Sequence, residues 1–425
     1  MTISTVEAAR SEGANAAHPG LTIAADGSYA ARLVPAGDGR GLIPERWTLD
    51  GPEPYAVPLP GPRPEGPGSE VLPLPDGRVL IRRAVGGRHH LALLYPTGPG
   101  TGELPLGSVD REGLRLLPPA PHGSHGSPVH ALAPGEHGST VWLVHGGARG
   151  PEPVAEVPGR CSGGTWLDRE GRLLALDRTD AAGRTKTVAV DLGRGGEVFP
   201  LLELTEDSDD RLLLADPDSG LLLLRSDAPG EVRLGWGVLG SHRPVRFPDA
   251  LRPPGVALTP FAVQPGQALT PEGCAVALRA DGPNGTWVAV WRPSQRRLRH
   301  LPAPVGWVRG TGLWTAEGEL RLPCAGGRAG RTQCGLARIT PSPEPDPPPL
   351  WRAERTPEEG SAEEGSADDG GRSGDGSAEG GPAGDGSAGD GSAEGGGPLA
   401  VRTTAFVPVP LQQAPLARND AERRS

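Results

Sequence analysis

Trp166-Leu-Asp-Arg-Glu-Gly-Arg-Leu-Leu-Ala-Leu176, Thr187-Val-Ala-Val-Asp-Leu192, Arg211-Leu-Leu-Leu-Ala215, Asp216-Pro-Asp-Ser-Gly220 and Leu221-Leu-Leu-Leu-Arg225, all between Cys161 and Trp236, decide the fold. Each apolar run has the length of a strand, and a turn-forming cluster closes it, so the stretch reads as sheet built from short hairpins. Asp or Glu followed by Gly between two apolar runs is a strong short-range hairpin signal.

The pattern recurs on both sides. Anchors stand at Asp26-Gly27, Asp76-Gly77, Gly135-Glu136, Glu170-Gly171, Asp209-Asp210, Glu272-Gly273 and Glu317-Gly318. Their mean separation is about 48 residues, close to the ~40–50 of four-stranded propeller blades. Second hairpins follow at Thr187–Leu192, Leu221–Arg225, Thr286–Trp291 and Cys334–Ile339. No window of about a dozen residues keeps a helical apolar stripe free of Gly or Pro. The 66 glycines and 50 prolines fit many tight turns. The expected fold is all-β: a β-propeller of about seven four-stranded blades over residues 20–340, with six or eight blades as alternatives. Radial repetition suits such a chain because it leaves only short, protected sheet edges.

The apolar–Asp/Glu-Gly–apolar unit, followed by a strand and a turn such as Asp216-Pro-Asp-Ser-Gly, resembles the blades of TolB-like and WD-repeat-like β-propellers. The Trp-Asp and Gly-His signatures of true WD repeats are missing, as is the Ser-x-Asp-x-Gly-x-x-Trp box of sialidase-type blades. The resemblance therefore implies a fold and carries no activity.

Both ends differ from this body. Residues 1–19 and 412–425 are expected to be flexible, and Pro341–Leu350 is an extended spacer. Repeats of Gly-Ser-Ala-Glu and Gly-Asp-Gly-Ser-Ala run to Gly397, and this low-complexity stretch is expected to be disordered because it has nothing to bury. Residues 398–411 have strand composition. They read as a ring-closing strand, or alternatively as a peptide motif on a tether.

The formal charge of −10 is local. Between Pro357 and Gly397 eleven acids face one base, Arg372, and they carry the whole of it. A body that is otherwise neutral argues against nucleic acid as a partner, since phosphate neutralisation supplies much of that affinity. The N-terminal residues lack the basic start and apolar stretch of a signal peptide, and no window approaches a spanning helix. The expectation is a monomeric cytoplasmic protein without membrane contact. Four cysteines in so long a chain do not form a disulfide framework.

Two clusters stand out as candidate binding residues. His122, His125 and His130 lie in a Gly/Ser/Pro-rich segment, without the spacing that makes a metal motif. Asp207, Asp209 and Asp210 belong to an acidic run that suits Ca²⁺ chemically but lacks the glycine and terminal glutamate of an EF-hand. Both read as contact loops, and no metal, cofactor or catalytic residue is expected. Cys324 and Cys334 flank a glycine-rich turn and face each other across a hairpin in this reading. The tryptophans read as core, and Arg296-Arg297-Leu-Arg299-His300 as a solvated hairpin. There is no Gly-x-Ser-x-Gly elbow and no phosphate-cradling loop before a helix.

The leading functional expectation is a non-catalytic binding or scaffold protein, its ligand an unknown protein or small molecule. Its contact loops, 107–139 and 205–211, would lie on one face of the ring. The alternative is a lactonase- or glycosidase-like propeller with a metal or paired carboxylates at the channel mouth. A third reading makes the acidic segment the working part.

Overall fold

The computed structural model describes residues 20–341, except 38, 40, 99, 122–127 and 327–332. The described residues form seven antiparallel sheets in chain order. Blade 1 is β1 (Thr22–Ile23), β2 (Tyr29–Pro35), β3 (Leu42–Thr48) and β4 (Tyr55–Pro58), and blade 2 is β5 (Glu70–Pro73), β6 (Val79–Val85), β7 (Arg88–Pro96) and β8 (Thr101–Val109). Blade 3 holds β9 (Arg115–Leu116), β10 (Val129–Ala133), β11 (Gly138–His145) and β12 (Glu152–Pro158). Blade 4 holds β13 (Arg160–Trp166), β14 (Leu173–Thr179), β15 (Thr185–Asp191) and β16 (Glu197–Leu202). Blade 5 has β17 (Asp210–Ala215), β18 (Leu221–Ser226) and β19 (Arg233–Val238), with a bridge from Trp236 to Arg246 in the fourth place. Blade 6 is β20 (Ala257–Val263), β21 (Val276–Gly282), β22 (Gly285–Trp291) and β23 (Arg299–Leu301), and blade 7 is β24 (Leu313–Trp314), β25 (Leu320–Gly326) and β26 (Gln333–Ile339).

Strand periodicity explains why the apolar runs are continuous. Successive side chains point to opposite faces, and here both faces of each blade are covered by a neighbour. In β18, Leu221 and Leu223 pack with blade 6 while Leu222 and Leu224 pack with blade 4. In β6, Val79 and Ile81 face blade 1 and Leu80 faces blade 3. Each fully buried aliphatic contributes about 1.5–3 kcal/mol. The apolar residues sort into seven inter-blade cores. The last joins Leu21, Ala30, Trp47 and Leu49 of blade 1 to Cys334 and Leu336 of blade 7. The ring therefore closes on itself. The fold is a seven-bladed β-propeller.

Five of the expected anchors occupy the turn between the first and second strands of a blade. The other two are displaced. Gly135-Glu136 sits in the second turn of blade 3, and Asp209-Asp210 leads into β17. Blade 5 makes its first turn with Asp216-Pro-Asp-Ser-Gly220, where Asp216 accepts from the amide and hydroxyl of Ser219 at 3.0 and 2.6 Å. Gly220, at φ 74°, supplies the left-handed closing residue that positions 209–210 lack. The N-terminal 1–19, the acidic stretch and the ring-closing strand at 398–411 lie outside the described residues. Among those described, no helix is long and apolar enough to cross a membrane.

Candidate functional site

First strands of successive blades pack on one another (β1 with β5, β5 with β9, β13 with β17, β17 with β20, β20 with β24), which places them around the axis. First and third turns then share one face of the ring, here the turn face. Second turns and inter-blade connections share the other. Of the two sequence-derived contact loops, 205–211 lies on the face opposite the turn face. The 107–139 stretch reaches both faces, its β9–β10 connection joining the turn face and its β8–β9 and β10–β11 connections the face of 205–211.

His122 and His125 lie outside the described residues. His130 is in β10, buried, with its ring 5.2 Å from that of Trp166. Burial pushes its pKa down to about 4, so it stays neutral in the fold. It is a core histidine between blades 3 and 4.

The acidic run is a tie between blades 4 and 5. Asp210 is completely buried and accepts from Ser226 Oγ at 2.6 Å, Ser208 Oγ at 2.8 Å, the Leu204 amide at 2.9 Å and Lys186 Nζ at 2.9 Å. Burial raises its carboxyl, but hydrogen bonds from Ser226, Lys186, Leu204 and Ser208 outweigh that and hold it below the ordinary value. Asp209 accepts the Thr185 amide at 2.6 Å, and its own amide donates to Asp227 at 2.7 Å. Asp207 is exposed and pairs with Arg184 at 2.9 Å. No group of three or more His, Cys, Asp or Glu is placed to hold a metal among the described residues.

Sequence reasoning passed over the partners of this tie, which recur around the ring. In blade 4, Asp177 and Thr187 meet at 2.9 Å, and the Leu212 amide of blade 5 donates to both. Burial drives Asp177 up to about 6 despite the hydrogen bonds from Thr187 and Leu212. In blade 3, Ser139 accepts the Cys161 amide of blade 4 at 2.7 Å and donates to the Gly159 carbonyl at 3.0 Å. In blade 2, His89 accepts the Leu114 amide of blade 3 at 3.3 Å, while Glu70 accepts the Leu116 amide at 2.9 Å. A polar side chain near the start of a third strand thus receives a backbone N–H from the next blade's first strand or from the residue just before it. A lone polar residue inside an apolar strand is the signal that could have found them: Asp177 in Leu-Leu-Ala-Leu-Asp, Ser139 before Thr-Val-Trp. First strands carry two acids, Glu70 and Asp210, and both are engaged in this way.

The turn face has one longer described excursion, 264–275 in blade 6. There Thr270 N–H donates to the Gln267 carbonyl at 3.1 Å, closing a four-residue turn whose third position is Leu269. Leu269 sits at φ 60°, the single non-glycine residue with positive φ among the described residues, and is 94% exposed. That position favours Gly or Asn, and holding a leucine there costs about 1–3 kcal/mol. Nearby, Asp218 accepts from Arg169 of blade 4 and from the Gly266 amide of blade 6, fixing the root of the loop. The loop's end packs inward. Cys274 lies 3.2 Å from Ser219 Oγ, and burial pushes its thiol to about 11, far from a thiolate nucleophile.

Cys324 and Cys334 do not face one another. Cys324 opposes Gly335 and Cys334 opposes Ala325, and the one-residue offset sends them to opposite faces, toward blades 6 and 1. All four cysteines are buried free thiols.

No family model matches the chain, and no curated protein does. Among solved structures, it is similar to a puromycin-hydrolyzing peptidase of Mycobacterium tuberculosis, at 14% identity and a TM-score of 0.48, over 75% of this chain and 50% of that one. It is similar to TolB from Acinetobacter baumannii at 11% and 0.38, over 74% and 78%. Prolyl oligopeptidase B from Galerina marginata follows at 11% and 0.45, over 76% and 46%. The likeness is one of fold. The chain spans about half the length of the two peptidases.

Proposed function

We propose that this propeller is a recognition scaffold whose turn face holds a protein partner. The observation that carries the reading is Leu269, a bulky apolar side chain held against its backbone preference and left in water. Strain of this kind persists where surrounding structure enforces it, and it clusters at binding sites. The polar ties between blades give the rigid frame on which such a loop keeps its shape.

The test is Leu269→Gly in affinity capture with the full chain. Glycine keeps the turn and removes the side chain. Partners recovered by the parent chain are expected to be lost, and their undiminished recovery would overturn the reading.

One observation favours a second reading, a hydrolase. The Asp177 carboxyl, shifted to about 6, lies directly behind Gly163 of the inner strand β13, whose absent Cβ would sit 3.4 Å from Asp177 Oδ2. Shifted carboxyls behind a bulged inner strand are candidates for acid–base work. Lactone, glycoside and peptide reporters decide between the two. The scaffold reading expects no turnover, and the hydrolase reading expects turnover that Asp177→Asn abolishes.

A further inference from the structure

Arginines gather in the third turns of blades 5 and 6, stretches in which the sequence has no acid. Arg243 stands in the third turn of blade 5, 72% exposed, and Arg292, Arg296, Arg297 and Arg299 occupy the third turn of blade 6 and the strand after it. No Asp or Glu occurs from Arg233 to Pro248 or from Gly285 to His300. The two turns are neighbours through one residue. Glu272 of the 264–275 loop lies 3.7 Å from Arg243, and its carbonyl accepts the Ser294 amide at 2.9 Å. Glu272 is thus the acid that joins Arg243 to the third turn of blade 6, while Asp218 in the first turn of blade 5 is engaged by Arg169 and the Gly266 amide. Crowding of the arginines shows at Arg292, where burial and then the charge of Arg299 lower its proton affinity. Outside 357–397 the chain's acids and bases balance, so this surface is a local positive excess on a neutral body.

Leu269 projects from the same loop, three positions before Glu272. An aliphatic knob beside guanidinium groups fits a peptide. Arginine takes carboxylates in bidentate pairs, and an apolar anchor beside them excludes water. It fits nucleic acid less well, because bases need exposed aromatic platforms. Trp236 and Trp291 of these blades are buried, their rings 6.4 Å apart. We propose that the arginine surface of blades 5 and 6, with Leu269 beside it, binds a carboxylate-rich peptide segment bearing an aliphatic residue. The inference rests on the recognition reading above and adds the chemistry of the partner.

The experiment uses the full chain and a fluorescein-labelled synthetic peptide of Glu, Gly and Ser with two leucines, followed by fluorescence anisotropy. Charge reversal at R243E, R296E and R297E is expected to weaken binding about tenfold or more, and raising the salt to several hundred millimolar to do the same. Circular dichroism establishes that the variants are folded. A second chain, with its eleven acids between Glu358 and Glu394 changed to Gln or Asn, removes any competition from its own carboxylates. Binding seen only there also supports the proposal. Absence of binding in both chains would overturn it, as would an oligonucleotide that binds more tightly than the peptide. If L269G loses binding while the triple charge variant keeps it, the carboxylate chemistry fails and the recognition reading stands.

Discussion

His130 and Asp177 are buried titratable side chains that pull the pH dependence of stability in opposite directions. His130 has its pKa depressed to about 4, so folding favours the neutral ring. Its contribution is complete above the ordinary histidine value and is lost as pH falls from about 6.5 toward 4, by about 3 kcal/mol in all. His89 and His145 are lowered as well and act in the same sense. Asp177 is raised to about 6, so its contribution is present below the ordinary aspartate value and is lost as pH rises through about 6. Urea midpoints measured from pH 4 to pH 8 should therefore show His130→Leu gaining on the parent chain as pH falls from about 6.5 toward 4. Asp177→Asn should be tolerated better at pH 8 than at pH 4. Asp177 left a trace in sequence as a lone acid ending an apolar run, whereas His130 is one of several histidines in a polar stretch, and only its packing on Trp166 makes it core.

At the level of strands and turns, the ties between blades are the features that mutation can probe most directly. Ser139 is completely buried and bonds to both Gly159 and Cys161. Ser139→Ala leaves the Cys161 amide unpaired, and a loss of about 1–3 kcal/mol in chemical denaturation is expected. Lys186→Met strips the buried Asp210 of its cation and should cost about 3–5 kcal/mol, more than the mutation of an exposed pair such as Arg88–Asp110. Turns were the readable part. Asp-Gly and Glu-Gly encode a hairpin locally, so most anchors fell where the chain turns. Asp209-Asp210 misled because acids without glycine signal polarity as readily as a turn. Asp210 is in fact consumed by partners up to 24 residues away in sequence, which no local pattern shows.

For the molecule as a whole, stability depends on seven similar interfaces, one of which joins the ends of the described chain. Trp47 is fully buried there, donates to Glu45 at 2.6 Å and lies under the Arg32 guanidinium at 4.8 Å. Trp47→Ala should cost about 3–5 kcal/mol. Because it opens the ring at one seam, hydrogen exchange should rise first in blades 1 and 7; a uniform rise around the ring would count against a closure that depends on this core. Sequence alone was enough for the all-β class, a repeat number between six and eight and the location of most turns, because strand period and turn chemistry are local properties of the chain; the count of seven came with the sheets themselves. Tertiary structure alone decided which polar residues are buried ties, which face each loop joins, and that Glu272 brings the third turns of blades 5 and 6 together. Those outcomes depend on how separate blades meet around the axis, and contacts between distant segments leave no periodic trace in the residues that make them.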